Sequence, residues 1–519
     1  MIPAPRARPP AAAPDAALRA LAVAALVAIG VHLACRALLS ASGSFFASED
    51  DPYRAYLAYL VRFRDAPGLI GRFWLPLGGL LQAAAQALGV PPALAGPAVG
   101  TLAAAVVVAA LASLAGGWAP AAQRRHAWWA GVLIGAASPM TIRLAQSSLA
   151  DLTGAAFLAL AVAGLARSAR TGRLAPLAGG AAALLAGTWT RYECWPVALA
   201  YPLLALWLHG RGDAPRRRLL ACAAVAAVPI LGPVGWMVAQ RAVLGDPFAF
   251  YRAAREMSKA LAGDVSRSGI ALARLRALVL WAPAVLAWTA LGLAGRGRAA
   301  LANAGWGAGL MALATLPPLL TGREQVVFTD RFAYLLELGL WPVAALALGR
   351  VVAERPVRPT VLAAAAGITV LCAGLAVVRP AALWDRDSVE LGLALRRGVL
   401  DDRLGGGALL IERPVPRPPF GWASVGVLWG RWPRTVFGTA RADGWQLVEP
   451  SDVVRSRAVV APPALPAWLD ARGVRAAWML TGPGQRAVRA AWPDARIEPR
   501  GRGVLLWRAP TDGALRSRK

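Results

Sequence analysis

The chain has 519 residues, of which 57% are hydrophobic and 16% charged, with a formal net charge of +28. So apolar a balance excludes an ordinary soluble globular protein, in which about a quarter of the residues are charged. It does not make a nucleic-acid binder either, because the arginines are scattered through loops between apolar runs and form no patch interleaved with aromatics. Lysine occurs only at Lys259 and Lys519. The cationic excess therefore reflects the arginine bias of a GC-rich bacterial genome and the arginine content of cytoplasmic membrane loops.

In chain order, residues 1–15 carry Arg6 and Arg8 among prolines and are expected to form a disordered cytoplasmic tail. The first apolar run, Leu18 to Leu39, is long and has no small-residue cleavage site after a short core, which predicts an anchor rather than a removed signal peptide. Residues 41–92 are too polar and proline-broken for a simple span and are expected to form the first outer loop. Within it Tyr53, Tyr56, Leu57, Leu60 and Phe63 recur at helical spacing with Arg54, Arg62 and Arg64 between them, the pattern of a helix lying in the headgroup plane. A second interfacial piece begins at Phe73-Trp74-Leu75-Pro76-Leu77.

Further spans are predicted near 93–117, 127–144, 150–167, 174–190, 195–209, 217–240, 276–294, 299–320, 332–350 and 359–378, about eleven with the first. The fold class is an α-helical polytopic membrane protein, with a transmembrane domain over 16–380. From about Ala381 short β-like runs alternate with helical stretches and Pro/Gly turns, which predicts a small extracytoplasmic α/β domain over 381–510 and a polar tail over 511–519. Arginines collect at 124–125, 167–173, 211–218, 296–298 and 350–358, whereas the acids Glu49, Asp50, Asp51, Asp65, Asp151, Glu193, Asp246, Glu256, Asp264, Glu324 and Asp330 fall in the other set of loops. By the positive-inside rule the N-terminus is cytoplasmic and the C-terminal domain extracytoplasmic, in the bacterial cytoplasmic membrane. The four cysteines show no CxxC spacing and the three histidines stand alone, so neither a disulfide framework nor a histidine-based site is expected.

Four constellations carry charge at the acidic face. Asp50 and Asp51 are suited to general-base work or to holding a divalent cation. Alternatively, Asp51 caps a helix that Pro52 begins, and Asp50 pairs with Arg54 one turn on. Arg143 and Asp151 flank the turn Gln146-Ser147-Ser148-Leu149-Ala150, where Asp151 is either a cap or part of the site. Arg191-Tyr192-Glu193 sits among tryptophans at the mouth of two short spans. There Arg191 either pairs with Glu193 or grips a lipid-linked phosphate, which a guanidinium matches bidentately. Arg331 opens a span just after an outer loop, to hold a phosphate or to snorkel. No cofactor is fixed by these residues; a divalent cation is the one candidate, and its ligands are unknown.

In order and membrane side these motifs resemble the C-type superfamily of polytopic glycosyltransferases, which includes protein O-mannosyltransferases and the bacterial aminoarabinose transferase of lipid A. Asp50-Asp51 resembles that family's acidic pair in the first outer loop, and Tyr53-Arg54-Ala55-Tyr56 the helix behind it. Trp74-Leu75-Pro76-Leu77 is similar to the second interfacial helix, and Arg191, Tyr192, Glu193, Trp195 and Pro196 to a motif of prokaryotic members. The resemblance covers roughly 16–378. It implies a polyprenyl-phosphate-linked sugar donor and transfer on the outer face to a glycan, lipid or protein acceptor. Asp50 would then be the base or cation ligand, with Arg191 and Arg331 on the donor phosphate. The competing expectation is a polytopic secondary transporter, against which stand the absence of an internal repeat and the clustering of acids at one face. A scaffolding protein would leave that clustering without a purpose.

Overall fold

The computed structural model describes residues 14–41, 54, 58, 75–210, 215–252, 267–294, 309, 311, 313, 329–354, 407–412, 435–441, 444–448, 458–479, 481–500 and 503–508. The chain divides into two compact units, one of residues 1–38, 70–78 and 98–378, the other of 39–69, 79–97 and 379–519. The spans expected near 299–320 and 359–378, and most of the first outer loop, lie outside the described residues.

The helices are α1 (Pro14–Ala41), α2 (Pro76–Ala87), α3 (Pro92–Trp118), α4 (Arg124–Ala136), α5 (Pro139–Ala145), α6 (Asp151–Thr171) and α7 (Leu174–Thr188), continuing as α8 (Cys194–His209), α9 (Arg216–Ala227), α10 (Leu231–Leu244), α11 (Arg267–Trp281), α12 (Pro283–Ala294) and α13 (Thr329–Glu354). Among the described residues five helical stretches are long and apolar enough to cross a membrane: Arg19–Leu38, Leu94–Trp118, Asp151–Thr171, Arg216–Leu244 and Ala333–Glu354. Two shorter apolar helices, Leu174–Thr188 and Cys194–His209, lie between them.

Three expected spans differ from what forms. The run 127–144 is two helices, because Pro139 has no N–H to continue the ladder and Ser138 caps the second helix, its hydroxyl accepting from Thr141 N at 3.2 Å. The run 217–240 extends to Leu244 and passes through a 3-10 turn, Val228–Ile230, around Pro229. The run 276–294 is broken before Pro283, and its first helix begins at Arg267, inside what the arginines make look like a solvated loop. Arg274 within that helix is buried.

In the helical unit, α6 and α7 form an antiparallel hairpin, with Gly164 against Gly180 and Gly187 against Phe157. Their shared core takes in Leu158, Val162 and Leu165 from α6, Leu177 and Leu184 from α7, and Val197 and Tyr201 from α8. Ala24 and Ala28 of α1 pack on Val108 and Ala112 of α3 and on Val132 of α4. Two polar pairs join α13 to the break between α4 and α5. Ser138 Oγ donates to Glu337 Oε1 at 2.7 Å, and Trp341 Nε1 donates to the same oxygen at 3.1 Å. One turn away the Thr141 and Tyr334 hydroxyls are 3.0 Å apart. Hydrocarbon offers no water to such groups, so they must satisfy one another.

In the second unit, β1 (Ala408–Glu412), β2 (Thr435–Arg441), β3 (Gly444–Val448), β4 (Ala458–Val460), β5 (Val474–Met479), β6 (Arg496–Arg500) and β7 (Gly503–Trp507) form one sheet in the order β4-β3-β2-β1-β5-β7-β6. Pairings of β1 with β2 and β5 are parallel, and the rest are antiparallel. The helices α14 (Leu465–Ala471) and α15 (Gly482–Ala491) cross beside β5. Strand β1 is buried along its whole length, as a central parallel strand should be. Its last residue, Glu412, accepts from Thr481 N at 2.8 Å at the start of α15, where a carboxylate complements the helix dipole.

Close packing of α13 on α4 yields a stability prediction. A Cβ at Gly349 would stand 2.5 Å from the Ala127 backbone, whereas one at Gly179 would meet nothing within 4 Å. Gly349→Ala is expected to cost about 1–3 kcal/mol by overpacking and to lower the unfolding midpoint in detergent. Gly179→Ala should leave it unchanged or raise it slightly.

Candidate functional site

One arginine and two acids of the helical unit converge where α6 begins and α7 turns into α8. Asp151 is the first residue of α6, and the preceding cap position is Ala150, which makes no side-chain cap bond. The carboxylate is therefore not spent as a cap. It stands in the first turn, where the helix dipole favours a negative charge. Glu193 occupies the equivalent flank of α8 and likewise makes no cap bond.

Arg191 lies between them. Its Nη2 is 2.5 Å from Glu193 Oε1 and 3.1 Å from Asp151 Oδ1, and all three side chains are largely buried. A Cβ at Gly154, one turn into α6, would lie 2.5 Å from Arg191 Cγ, so only glycine lets the arginine stem cross that helix to reach Asp151. Burial opposes the charge on Arg191, but the neighbouring Asp151 and Glu193 outweigh it and hold the guanidinium more firmly protonated than usual. Two carboxyl groups thus face one guanidinium. A small cavity beside it is walled by Gly154, Leu158, Cys194, Tyr334 and Leu335.

The turn that carries Arg191 is tied down on both sides. Trp195 Nε1 donates to Thr188 O at 2.9 Å, and Leu77 N, at the start of α2, donates to Trp189 O at 3.0 Å. Tyr192, next in the chain, packs into an aromatic cluster. It stacks on Phe250, with ring centroids 5.0 Å apart and 12° between planes, and meets Trp195 edge-on at 5.0 Å. Burial pushes the Tyr192 phenol well above its ordinary range, so it stays protonated. Phe250 lies in the helical residues 249–252 that follow α10 and a short turn, where Asp246 accepts from Phe248 N at 3.1 Å and pairs with Arg252.

Of the expected site residues, Asp151, Arg191 and Glu193 come together, with Tyr192 beside them. Arg143 lies half-buried in the last turn of α5. Arg331 is in the first turn of α13; its side chain lies outside the described residues, as do Asp50 and Asp51 entirely. Arg54 is half-buried in a helical conformation and belongs to the second unit. Among the described residues no three His, Cys, Asp or Glu side chains converge as a metal-ligand set. Sequence reasoning missed Tyr334 and Glu337. The signal was a lone acid inside an apolar run, three residues after a tyrosine and four before a tryptophan.

The trio predicts a stability pattern. Arg191→Met leaves two buried carboxylates without their cation and is expected to cost about 3–5 kcal/mol, read as a lower unfolding midpoint. Adding Asp151→Asn and Glu193→Gln should recover most of that loss, since no uncompensated charge then remains.

Neither a protein-family model nor a curated protein sequence matches the chain. Solved structures do. ArnT from Cupriavidus metallidurans bound to undecaprenyl phosphate superposes with a TM-score of 0.57 at 15% identity, over 96% of this chain and 99% of that one. The same protein in the apo state gives 0.52 at 15% identity, over 89% and 94%. The Archaeoglobus fulgidus oligosaccharyltransferase gives 0.48 at 13% identity, over 89% of this chain and 69% of that one. Composition, apolar helices and this fold make the chain a polytopic membrane protein.

Proposed function

We propose that this chain, which has the fold of a C-type polytopic glycosyltransferase, transfers a sugar from a polyprenyl-phosphate donor to an acceptor at the outer face of the bacterial cytoplasmic membrane. The observation that carries the proposal is the end-to-end likeness to ArnT, a protein solved with undecaprenyl phosphate bound. The acidic pair Asp50-Asp51, directly after the first apolar run, supports it.

In the reaction an acceptor oxygen or nitrogen attacks the anomeric carbon, the bond from that carbon to the phosphate oxygen breaks, and polyprenyl phosphate leaves. Asp50 takes the proton from the attacking atom, or holds a cation that orients it, with Asp51 beside it and Arg54 behind. The leaving phosphate gains negative charge, which a nearby guanidinium stabilises. Arg331, at the start of α13, is the candidate for the larger share of that work. Arg191 is already offset by Asp151 and Glu193, so its contribution is to the field and shape of the pocket rather than as a free cation. Arg143 and Tyr192 complete the substrate-facing set, with the aromatic cluster around Tyr192 offering a flat surface to a sugar or a prenyl chain. The N-terminus is placed in the cytoplasm and the C-terminal sheet outside, on the strength of the arginine-rich loops. The acceptor is a glycan, a lipid or a protein.

The test is sugar transfer in reconstituted membranes across a panel of polyprenyl-phosphate sugars. Asp50→Asn is expected to lower kcat about 10²–10⁴-fold with donor binding retained, and Arg331→Ala to raise the donor KM. Absence of both donor binding and transfer with every donor would sink the proposal. Full activity in Asp50→Asn would move the base to another carboxylate.

A further inference from the structure

The other end of the bundle has the opposite character. Helix α6, 21 residues long, spans about 30 Å, the thickness of the hydrocarbon core. Its last turn carries Arg170, and Arg167 lies one turn before it. The Arg170 guanidinium lies against Gly117 at the end of α3, and Gly116 packs on the Arg124 backbone at the start of α4. With Arg167 on the same helix as Arg170, like charges crowd this end of the bundle.

Three arginines are thus gathered where α3 and α6 end and α4 begins. Among the described residues none of Arg124, Arg167 and Arg170 has a carboxylate partner, and all three are exposed. The one acid among the described side chains at this end, Glu354, is paired with Arg350 at 2.8 Å. Arg124 also opens its helix with no acid in the first turn, so the helix dipole opposes its charge rather than offsetting it. Nearby arginines are used differently: Arg218 donates to Gly172 O and closes the end of α6.

The level of this cluster relative to the membrane is marked independently. Trp129, one turn into α4, and Trp207, just before the end of α8, are both exposed on the bundle surface. Exposed tryptophans one turn inside a helix end are the signature of the headgroup boundary. Repelling cations at that depth need an anion, and the anion present at that depth in every bacterial membrane is a lipid phosphate.

We propose that Arg124, Arg167 and Arg170 form a binding site for the phosphate of an anionic phospholipid, at the end of the bundle opposite the Asp151–Arg191–Glu193 trio. The site is independent of the transferase proposal, and its ligand is a resident lipid rather than a substrate. Two of its arginines come from one helix a single turn apart and the third from the neighbouring helix, so a phosphate between them bridges α4 and α6.

The experiment uses the full-length protein in detergent, titrated with phosphatidylglycerol, phosphatidylcholine or inorganic phosphate, with lipid retention read by native mass spectrometry and the unfolding midpoint read in parallel. Wild type is expected to retain phosphatidylglycerol about tenfold or more over phosphatidylcholine, and to gain stability from it. Arg124→Gln/Arg167→Gln/Arg170→Gln should lose that preference, whereas Arg216→Gln/Arg217→Gln, at the same end but outside the cluster, should keep it. If the triple variant does not fold, Arg167→Gln alone must lower retention several-fold. Equal retention in wild type and the cluster variants, or equal loss in the Arg216/Arg217 variant, overturns a discrete site in favour of a diffuse charged rim. Inorganic phosphate protecting wild type as well as the lipid does would overturn the lipid as ligand and leave a free-anion site. Transfer activity, seated at the other end, does not enter the readout.

Discussion

The buried charge on Arg191 is the interaction on which one end of the helical unit depends. A guanidinium held inside a largely apolar bundle is tolerable only when carboxylates face it. Here two do, each at the start of a different helix and each favoured there by that helix's dipole. One side chain therefore fixes the start of α6 against the turn between α7 and α8. That turn in turn receives α2 through Leu77 and supports the Tyr192–Phe250 stack. The cavity walled by Gly154 and Tyr334 is a consequence of this arrangement rather than a separate construction.

Charge is sorted along the bundle by the same rule. Asp151, Glu193 and Asp246 lie at one end, and Arg124, Arg167, Arg170 and Arg218 at the other, with the length of α6 between them. A polar group within that length must find a partner among the helices, as Ser138, Glu337 and Trp341 do. The two ends are therefore free to differ in chemistry, because hydrocarbon insulates one from the other.

Much of this was legible in the sequence, for identifiable reasons. The predicted runs at 93–117, 150–167, 174–190 and 195–209 match helices to within a few residues, because uninterrupted apolar stretches bounded by charge leave few alternatives. The helix break at Ser138 was not foreseen, although Ser-Pro is a capping signal, because the apolar run continues across it. Helix α11 was hidden by Arg267, Arg274 and Arg276, which look solvated in sequence but include a buried side chain. At the site, the motif Arg191-Tyr192-Glu193 stood out through the cost of charge at a span boundary. That Asp151, forty residues earlier, shares its arginine was beyond any local pattern, since the contact depends on how α6 packs against α7. Glu337 lacks the signal of charge at a span boundary, because it stands alone inside an apolar run and away from any charged loop.

The pairing of Ser138 with Glu337 bears on how the protein is made. A carboxyl roughly two turns inside an apolar helix is a burden on membrane insertion, on the order of 3 kcal/mol at the centre of a span. Glu337 follows its hydroxyl partner by 199 residues. When α13 emerges from the ribosome, α4 and α5 have long been synthesised, and the Ser138 hydroxyl at the break between them is available to receive it. The early helices thus supply the polar notch in which the late one sets its acid.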